Sequence, residues 1–427
     1  MSEISSNTNK YLGILGRQPK ISLAELEAVF GSHNVEQIDH ELALITTSQT
    51  PDVQRLGGTQ KIARVLDRSP LDYLFSLPHG KLTIGISDYR RHATKATAQN
   101  EALKLKKQLV REGYSARIIP NQSAILSTAT SHHNKLGLSL NKIELIYDDR
   151  FTAISIGAQN ITAYARRDQA RPARDARVGM LPPKLAQILI NLAANGKPDG
   201  RILDPFCGTG VVLQESLLMG YSAYGTDLEP RMIEMSQKNL DWLLQGRNGS
   251  HTRDFANRDN EDEIRGRYPR RTSAVTTRTR TTEPRDGGRE GVVREGNVKD
   301  FVLEVGDAET HQWTGEITAV ATETYLGQAF SAPPSDAKLR EVKHVTKAII
   351  TGFLKNIHPQ IDKGTQLALA IPAWRRPDGR YEHLKILDEL DRLGYNVVKY
   401  RNLESSDLLY HREDQIVARE ILVLRSK

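Results

Sequence analysis

Short apolar runs and polar, glycine-marked turns alternate along most of the chain. Residues 11–16 (Tyr-Leu-Gly-Ile-Leu-Gly) predict a strand. Ser22-Leu-Ala-Glu25 then reads as a capping box opening a helix with Leu23, Leu26, Ala28 and Val29 on its apolar face. Residues 35–47 predict further strand. The Gly57–Gly58 turn leads into a basic helix or strand. A second α+β stretch follows, with strands at 81–86, 116–119, 143–146 and 152–156 around a basic amphipathic helix at 98–112. From Arg171 the character changes. Prolines open an apolar helix at 181–192, and strands and helices then alternate: 201–204, 211–219, 223–227, 230–244. That alternation predicts a parallel sheet with crossover helices.

Residues 246–296 break this pattern. They are rich in Arg, Thr, Gly, Asp and Glu and poor in large apolar residues, so they cannot bury enough surface to offset their ordering entropy. They read as a mobile insertion inside the last domain, either a tolerated surface segment or an arginine-rich arm that folds on RNA. Beyond it the pattern resumes, with strands at 301–305, 318–321 and 366–371 and a helix at 339–354. A further helix at 383–393 precedes a closing pair of strands at 397–400 and 416–424. The expected boundaries are 1–80, 81–167 and 168–427.

Composition narrows the classes. A chain of 427 residues exceeds one ordinary domain. Its 59 Lys and Arg against 52 Asp and Glu give a net charge of +7, which favours a polyanionic partner. A single cysteine, Cys207, excludes an internal disulfide and multi-cysteine zinc sites. No run approaches the ~20 apolar residues of a membrane span. The first ten residues are polar without a signal-peptide core, and a cytoplasmic protein is expected.

The strongest chemical signal is Arg201-Ile-Leu-Asp-Pro-Phe-Cys-Gly-Thr-Gly210, a strand ending in an acid, a glycine turn and a helix start. Glycines let a nucleotide-like ligand approach the backbone. The spacing is not G-x-G-x-x-G and no Walker lysine follows, so dinucleotide and ATP readings are weaker. Asp227 ends the next strand, where an acid can accept both ribose hydroxyls of an adenosine. Asp307 ends a third strand and could face the adenine amine. An Asp at a strand end can equally cap the helix that follows.

The segment 204–210 resembles the cofactor loop of the THUMP-domain tRNA guanine-N2 methyltransferases, the archaeal and eukaryotic group that modifies guanine ten of tRNA. The similarity extends to Leu15-Gly-Arg-Gln-Pro19, Leu56-Gly-Gly-Thr59, Ser131-His-His-Asn-Lys-Leu-Gly137, Arg171-Pro172 and Gly179-Met-Leu-Pro-Pro-Lys-Leu-Ala186. The resemblance implies an α/β architecture: a ferredoxin-like domain at 1–80, an RNA-binding THUMP domain at 81–167 and a Rossmann-like class I methyltransferase domain at 168–427. It further implies that Asp204, Phe206, Gly208, Gly210, Asp227 and Asp307 contact S-adenosyl-L-methionine and that the partner is tRNA. A small activating subunit is compatible with it.

One departure bears on the chemistry. Where the family carries Asp-Pro-Pro-Tyr, this chain has Thr322-Glu-Thr-Tyr325. An exocyclic guanine amine is a poor nucleophile, and an acid at this turn holds its hydrogens as the nitrogen attacks. Glu323 is the candidate acid, and Tyr325 the candidate for stacking on a flipped base. Two alternatives remain open: a DNA amino-methyltransferase, which shares this turn chemistry, and a catalytically silent RNA-binding protein. His132 and His133, read as extended, point to opposite faces and suit a structural or RNA-contact role better than a metal. Cys207 reads as a small apolar filler. Lys104, Lys106, Lys107 and Arg111 read as phosphate contacts or a solvated helix face. Trp374 lines a base pocket or packs the core.

Overall fold

A computed structural model describes residues 8–175, 180–248 and 300–427, apart from 402, 405–406 and 413–414. Most of the expected insertion at 246–296, and Gly179, lie outside the described residues. The described chain divides into two compact units, residues 8–164 without 27–29, and the remainder from 165 onward with them.

The first unit contains β1 (Asn9–Leu15), α1 (Pro19–Phe30), β2 (Val35–Gln37), β3 (Leu42–Thr47), β4 (Thr59–Val65), α2 (Pro70–Phe75), β5 (Lys81–Asp88), α3 (Lys95–Arg111), β6 (Ser115–Ile118), α4 (Thr128–His133), β7 (Lys142–Tyr147) and β8 (Thr152–Ala158). Its strands form one mixed sheet, ordered β2-β3-β1-β4-β8-β7-β5-β6. The boundary expected at residue 80 thus falls between strands of a continuous sheet, with β4 antiparallel to β8. Lys61 of β4 donates to Glu144 Oε1 of β7 at 2.6 Å and to the Leu126 carbonyl at 2.7 Å, and both charged side chains are buried.

The capping box expected at Ser22 is not one. Helix α1 starts earlier, at Pro19, and Ser22 and Glu25 lie inside it. The Ser22 hydroxyl donates to the Gly58 carbonyl at 2.7 Å, and the Glu25 carboxylate accepts from the Gly57 and Gly58 amides, each at 2.8 Å. These groups satisfy a distant buried turn rather than a helix end. A Cβ on Gly58 would come within 2.8 Å of the Ser22 Cα, so the turn needs glycine there.

Helix α3 is capped by Thr94, which accepts from the Thr97 amide at 3.2 Å. It buries Ala98, Ala102, Leu105 and Leu109 at helical spacing. Lys104, Lys106, Lys107 and Arg111 face outward. His132 and His133 close the short helix α4 rather than lying extended, their ring centroids 5.4 Å apart. Among the described residues no cluster of potential ligands suits a metal ion.

After α5 (Ile161–Gln169), the second unit runs α6 (Pro183–Ala194), β9 (Arg201–Asp204), α7 (Val211–Leu218), β10 (Ser222–Asp227), α8 (Pro230–Asn248), β11 (Phe301–Val305), β12 (Ala319–Glu323), α9 (Asp336–Ile357), β13 (Gln366–Arg375), β14 (Tyr381–His383), α10 (Leu387–Leu390), β15 (Tyr395–Val397), β16 (Leu409–Tyr410) and β17 (Val417–Ser426). The sheet is ordered β11-β10-β9-β12-β13-β17-β15. The first five strands are parallel, and β17 is antiparallel to β13 and β15. The helix expected at 383–393 shrinks to α10, because His383 is taken up by a strand beside β13. Trp374 is fully buried in the core with Phe353, Leu369 and Leu422, which removes it from any base pocket. Among the described residues no helix is long and apolar enough to cross a membrane.

Candidate active site

Strand order reverses at β9, which hydrogen-bonds to β10 on one side and β12 on the other. Open α/β sheets bind ligands in the crevice at the carboxyl ends of strands flanking such a reversal. Asp204, Asp227, Val305 and Glu323 are the last residues of β9, β10, β11 and β12, so the topology brings four strand ends to one edge.

The loop after β9 is held rigidly. The Cys207 amide donates to the Thr226 carbonyl at 3.0 Å and the Gly210 amide to the Cys207 carbonyl at 2.8 Å. The Gly208 amide donates to Asp227 Oδ2 at 2.9 Å, and the Gly208 carbonyl accepts from the Ser236 hydroxyl at 2.8 Å. Gly210 has φ of 79°, and a Cβ there would meet the Ser236 Oγ at 2.9 Å. Gly208 also has positive φ, but open space lies where its Cβ would stand. One glycine is therefore required by packing from behind, while the other leaves its face clear. Cys207 is buried with Leu213, Leu217 and Ala223 as a small filler, and burial pushes its thiol pKa well up.

Asp204 is 2% exposed. Its Oδ1 accepts from the Thr322 hydroxyl of β12 at 2.6 Å and from the Phe206 amide at 3.3 Å. Burial pushes its carboxyl up to about 7, and the charges of Asp227 and Glu323 add to the rise, against those two hydrogen bonds. Asp227 is half-buried. Its Oδ1 accepts from the Glu229 amide at 3.0 Å, and burial raises its pKa too. Asp307 is exposed and its Oδ1 accepts from the Glu309 amide at 2.9 Å, so this acid caps its own turn one strand further out.

Glu323 Oε1 accepts from Arg419 Nε of β17, an arginine that is 4% exposed. The Thr324 amide and hydroxyl both donate to the Ala370 carbonyl, at 3.0 and 3.2 Å, and fix the turn that follows. Tyr325 is 43% exposed just beyond it. The structure thus hydrogen-bonds Phe206 to Asp204 and Gly208 to Asp227, and places Glu323 in electrostatic range of Asp204.

Sequence reasoning missed several partners. Thr322 and Arg419 are invisible without the fold, since each meets its acid across separate strands. Leu228 and Val305, 64% and 49% exposed, present apolar surface at the ends of β10 and β11. A solvent-facing leucine right after a strand-end acid was a signal available in the sequence. Trp313 Nε1 donates to the Thr226 hydroxyl at 3.2 Å and buttresses β10.

These features define a methyltransferase domain: residues 171–261 match the UPF0020 RMKL-like methyltransferase domain. The chain is 48% identical over 62 residues to a tRNA (guanine(10)-N2)-dimethyltransferase of Methanothermobacter thermautotrophicus, covering 14% of this chain and 18% of that one. It is 26% identical over 245 residues to the enzyme of the same name from Pyrococcus abyssi, covering 54% of this chain and 67% of that one. The chain thus spans under a fifth of the first relative and about two thirds of the second. Among solved structures, TrmN from Thermus thermophilus aligns over 98% of this chain and all of its own, with 14% identity and a TM-score of 0.42.

Proposed function

We propose that this protein is an S-adenosyl-L-methionine-dependent tRNA methyltransferase acting on the exocyclic N2 amine of a guanine, in the cytoplasm. The observation that carries the reading is the glycine loop locked to Asp227 at the switch point of a methyltransferase-domain sheet. The site suits an adenosine-bearing ligand: the Gly208 face is open, acids end the flanking strands, and Leu228 and Val305 offer apolar surface for a flat base. Asp227 and Asp307 would hold the nucleoside, and the backbone from Asp204 to Gly210, with Phe206, would line the rest. The donor supplies an electrophilic methyl on a sulfonium.

The chain's own residues do the remaining work. Arg419 fixes Glu323 through Oε1, and Oε2 has no hydrogen-bond partner among the described residues. That oxygen accepts a hydrogen of the target amine and orients its lone pair. Tyr325, exposed beside it, stacks on the base. The first unit, with the outward lysines of α3, grips the tRNA, its 1–80 part as the ferredoxin-like piece and its 81–167 part as the THUMP domain.

The test is incubation of purified protein with methyl-labelled donor and total tRNA, followed by nucleoside analysis. N2-methylated guanosine is expected. Absence of label from every tRNA overturns the reading, as does label in DNA alone. The ion pair between Glu323 and Arg419 favours one second reading, a silent RNA-binding protein whose acid has become structural. Tight binding of both donor and tRNA without turnover would select it.

A further inference from the structure

We propose that Arg171 binds the carboxylate at the amino-acid end of the methyl donor. The assignment rests on the methyltransferase reading and deepens it. Arg171 is 4% exposed, yet its Nε has no hydrogen-bond partner among the described residues. Its other contacts are weak: Nη1 to the Thr209 hydroxyl at 3.5 Å, the outer limit of a hydrogen bond, and Nη2 to the Met180 sulfur at 3.5 Å, a poor acceptor. A buried guanidinium with five donors so poorly satisfied is costly unless an anion completes it.

Among the described residues no carboxylate hydrogen-bonds to it. Glu215 is taken by Arg167, whose Nε and Nη2 donate at 2.7 and 3.2 Å, and by Gln187 Nε2 at 2.9 Å. Asp168 acts on Arg171 through space, and no hydrogen bond joins them. Arg167 and Arg171 thus differ in one respect: Arg167 holds a carboxylate through paired bonds, whereas among the described residues Arg171 hydrogen-bonds to none. Burial also works against the charge of Arg171, a cost that a bound anion relieves.

The place it points to is suited to an anion. Thr209 stands between Gly208 and Gly210, two residues before Val211 opens α7. The first amides of that helix lack intrahelical acceptors and carry the positive end of its dipole. The face of Gly208 beside them is open. A planar carboxylate can take paired bonds from a guanidinium, and of the two ends of the proposed donor only the amino-acid end carries one.

Calorimetry on the full chain separates this from a structural role. The probes are S-adenosylhomocysteine, its decarboxylated analogue and 5′-methylthioadenosine, which lacks the amino acid altogether. Unmodified protein is expected to bind S-adenosylhomocysteine at least about tenfold more tightly than the decarboxylated analogue. In R171Q, affinity for S-adenosylhomocysteine should fall roughly ten- to a hundredfold while that for 5′-methylthioadenosine stays within about twofold. R171K should recover part of the loss. Equal affinity of the unmodified protein for the first two probes overturns the assignment. So does an R171K protein that loses all probes equally. If the unmodified protein binds none of the three, the methyltransferase reading falls and takes the assignment with it.

Discussion

Two acids at the site illustrate how burial and partners divide their roles. Asp204 is enclosed and hydrogen-bonded to Thr322, and Glu323 ends its strand with one oxygen held and one unpartnered. In E323Q the retained side chain keeps its shape but loses acceptor strength. Turnover on tRNA is expected to fall by about 10²–10³, with S-adenosylhomocysteine affinity unchanged; single-turnover kinetics beside calorimetry would reveal this, and an unchanged rate would remove Glu323 from catalysis. Asp204 gives a stability prediction instead. Its carboxyl is pushed from 3.8 up to about 7, so the native state holds the proton more tightly than the unfolded chain does. Its contribution is greatest below about pH 4 and is lost as pH rises towards 7. D204N carries no such titration. The melting temperature of D204N minus that of the unmodified protein should therefore widen between pH 4 and 7 and level off above. A gap that stays flat across that range would mean Asp204 titrates normally.

Among the elements, periodicity carried most of the reading. Strand β9, the glycine turn and α7 were legible because a parallel strand, its acid and a crossover helix are contiguous in sequence. The ends of α1 and α10 were not. Ser22-Leu-Ala-Glu25 has the local pattern of a helix start, but the buried Gly57–Gly58 turn competes for the same side chains and wins. His383 joins a strand because residues 373–383 form a hairpin about Pro377-Asp378-Gly379, a turn signal that the helical reading of 383–393 passed over. The site divides in the same way: strand-end acids are readable locally, whereas the partners Thr322 and Arg419 and the burial of Arg171 beside Thr209 arise from chain segments distant in sequence. The Glu25 clamp is itself testable. E25A leaves two buried amides without acceptors, and a loss of about 2–5 kcal/mol is expected in denaturant unfolding. A loss under about 1 kcal/mol would show that water or relaxation replaces the carboxylate.

For the molecule as a whole, the continuous sheet of the first unit predicts that residues on both sides of position 80 unfold together. Lys61 and Glu144 supply the means to check it, since they bridge β4 and β7 beneath that sheet. K61M strands a buried carboxylate and should cost about 3–5 kcal/mol. Hydrogen exchange should then show β1, β3, β5 and β7 losing protection in parallel; loss confined to one side would make the two halves independent. The same whole-chain view applies to chemistry at sulfur. Cys207 is the one thiol in 427 residues, and it is sealed inside the loop that follows β9. The protein therefore carries a built-in alkylation probe: a maleimide has a single target, and the rate at which it is captured times how often that loop comes apart.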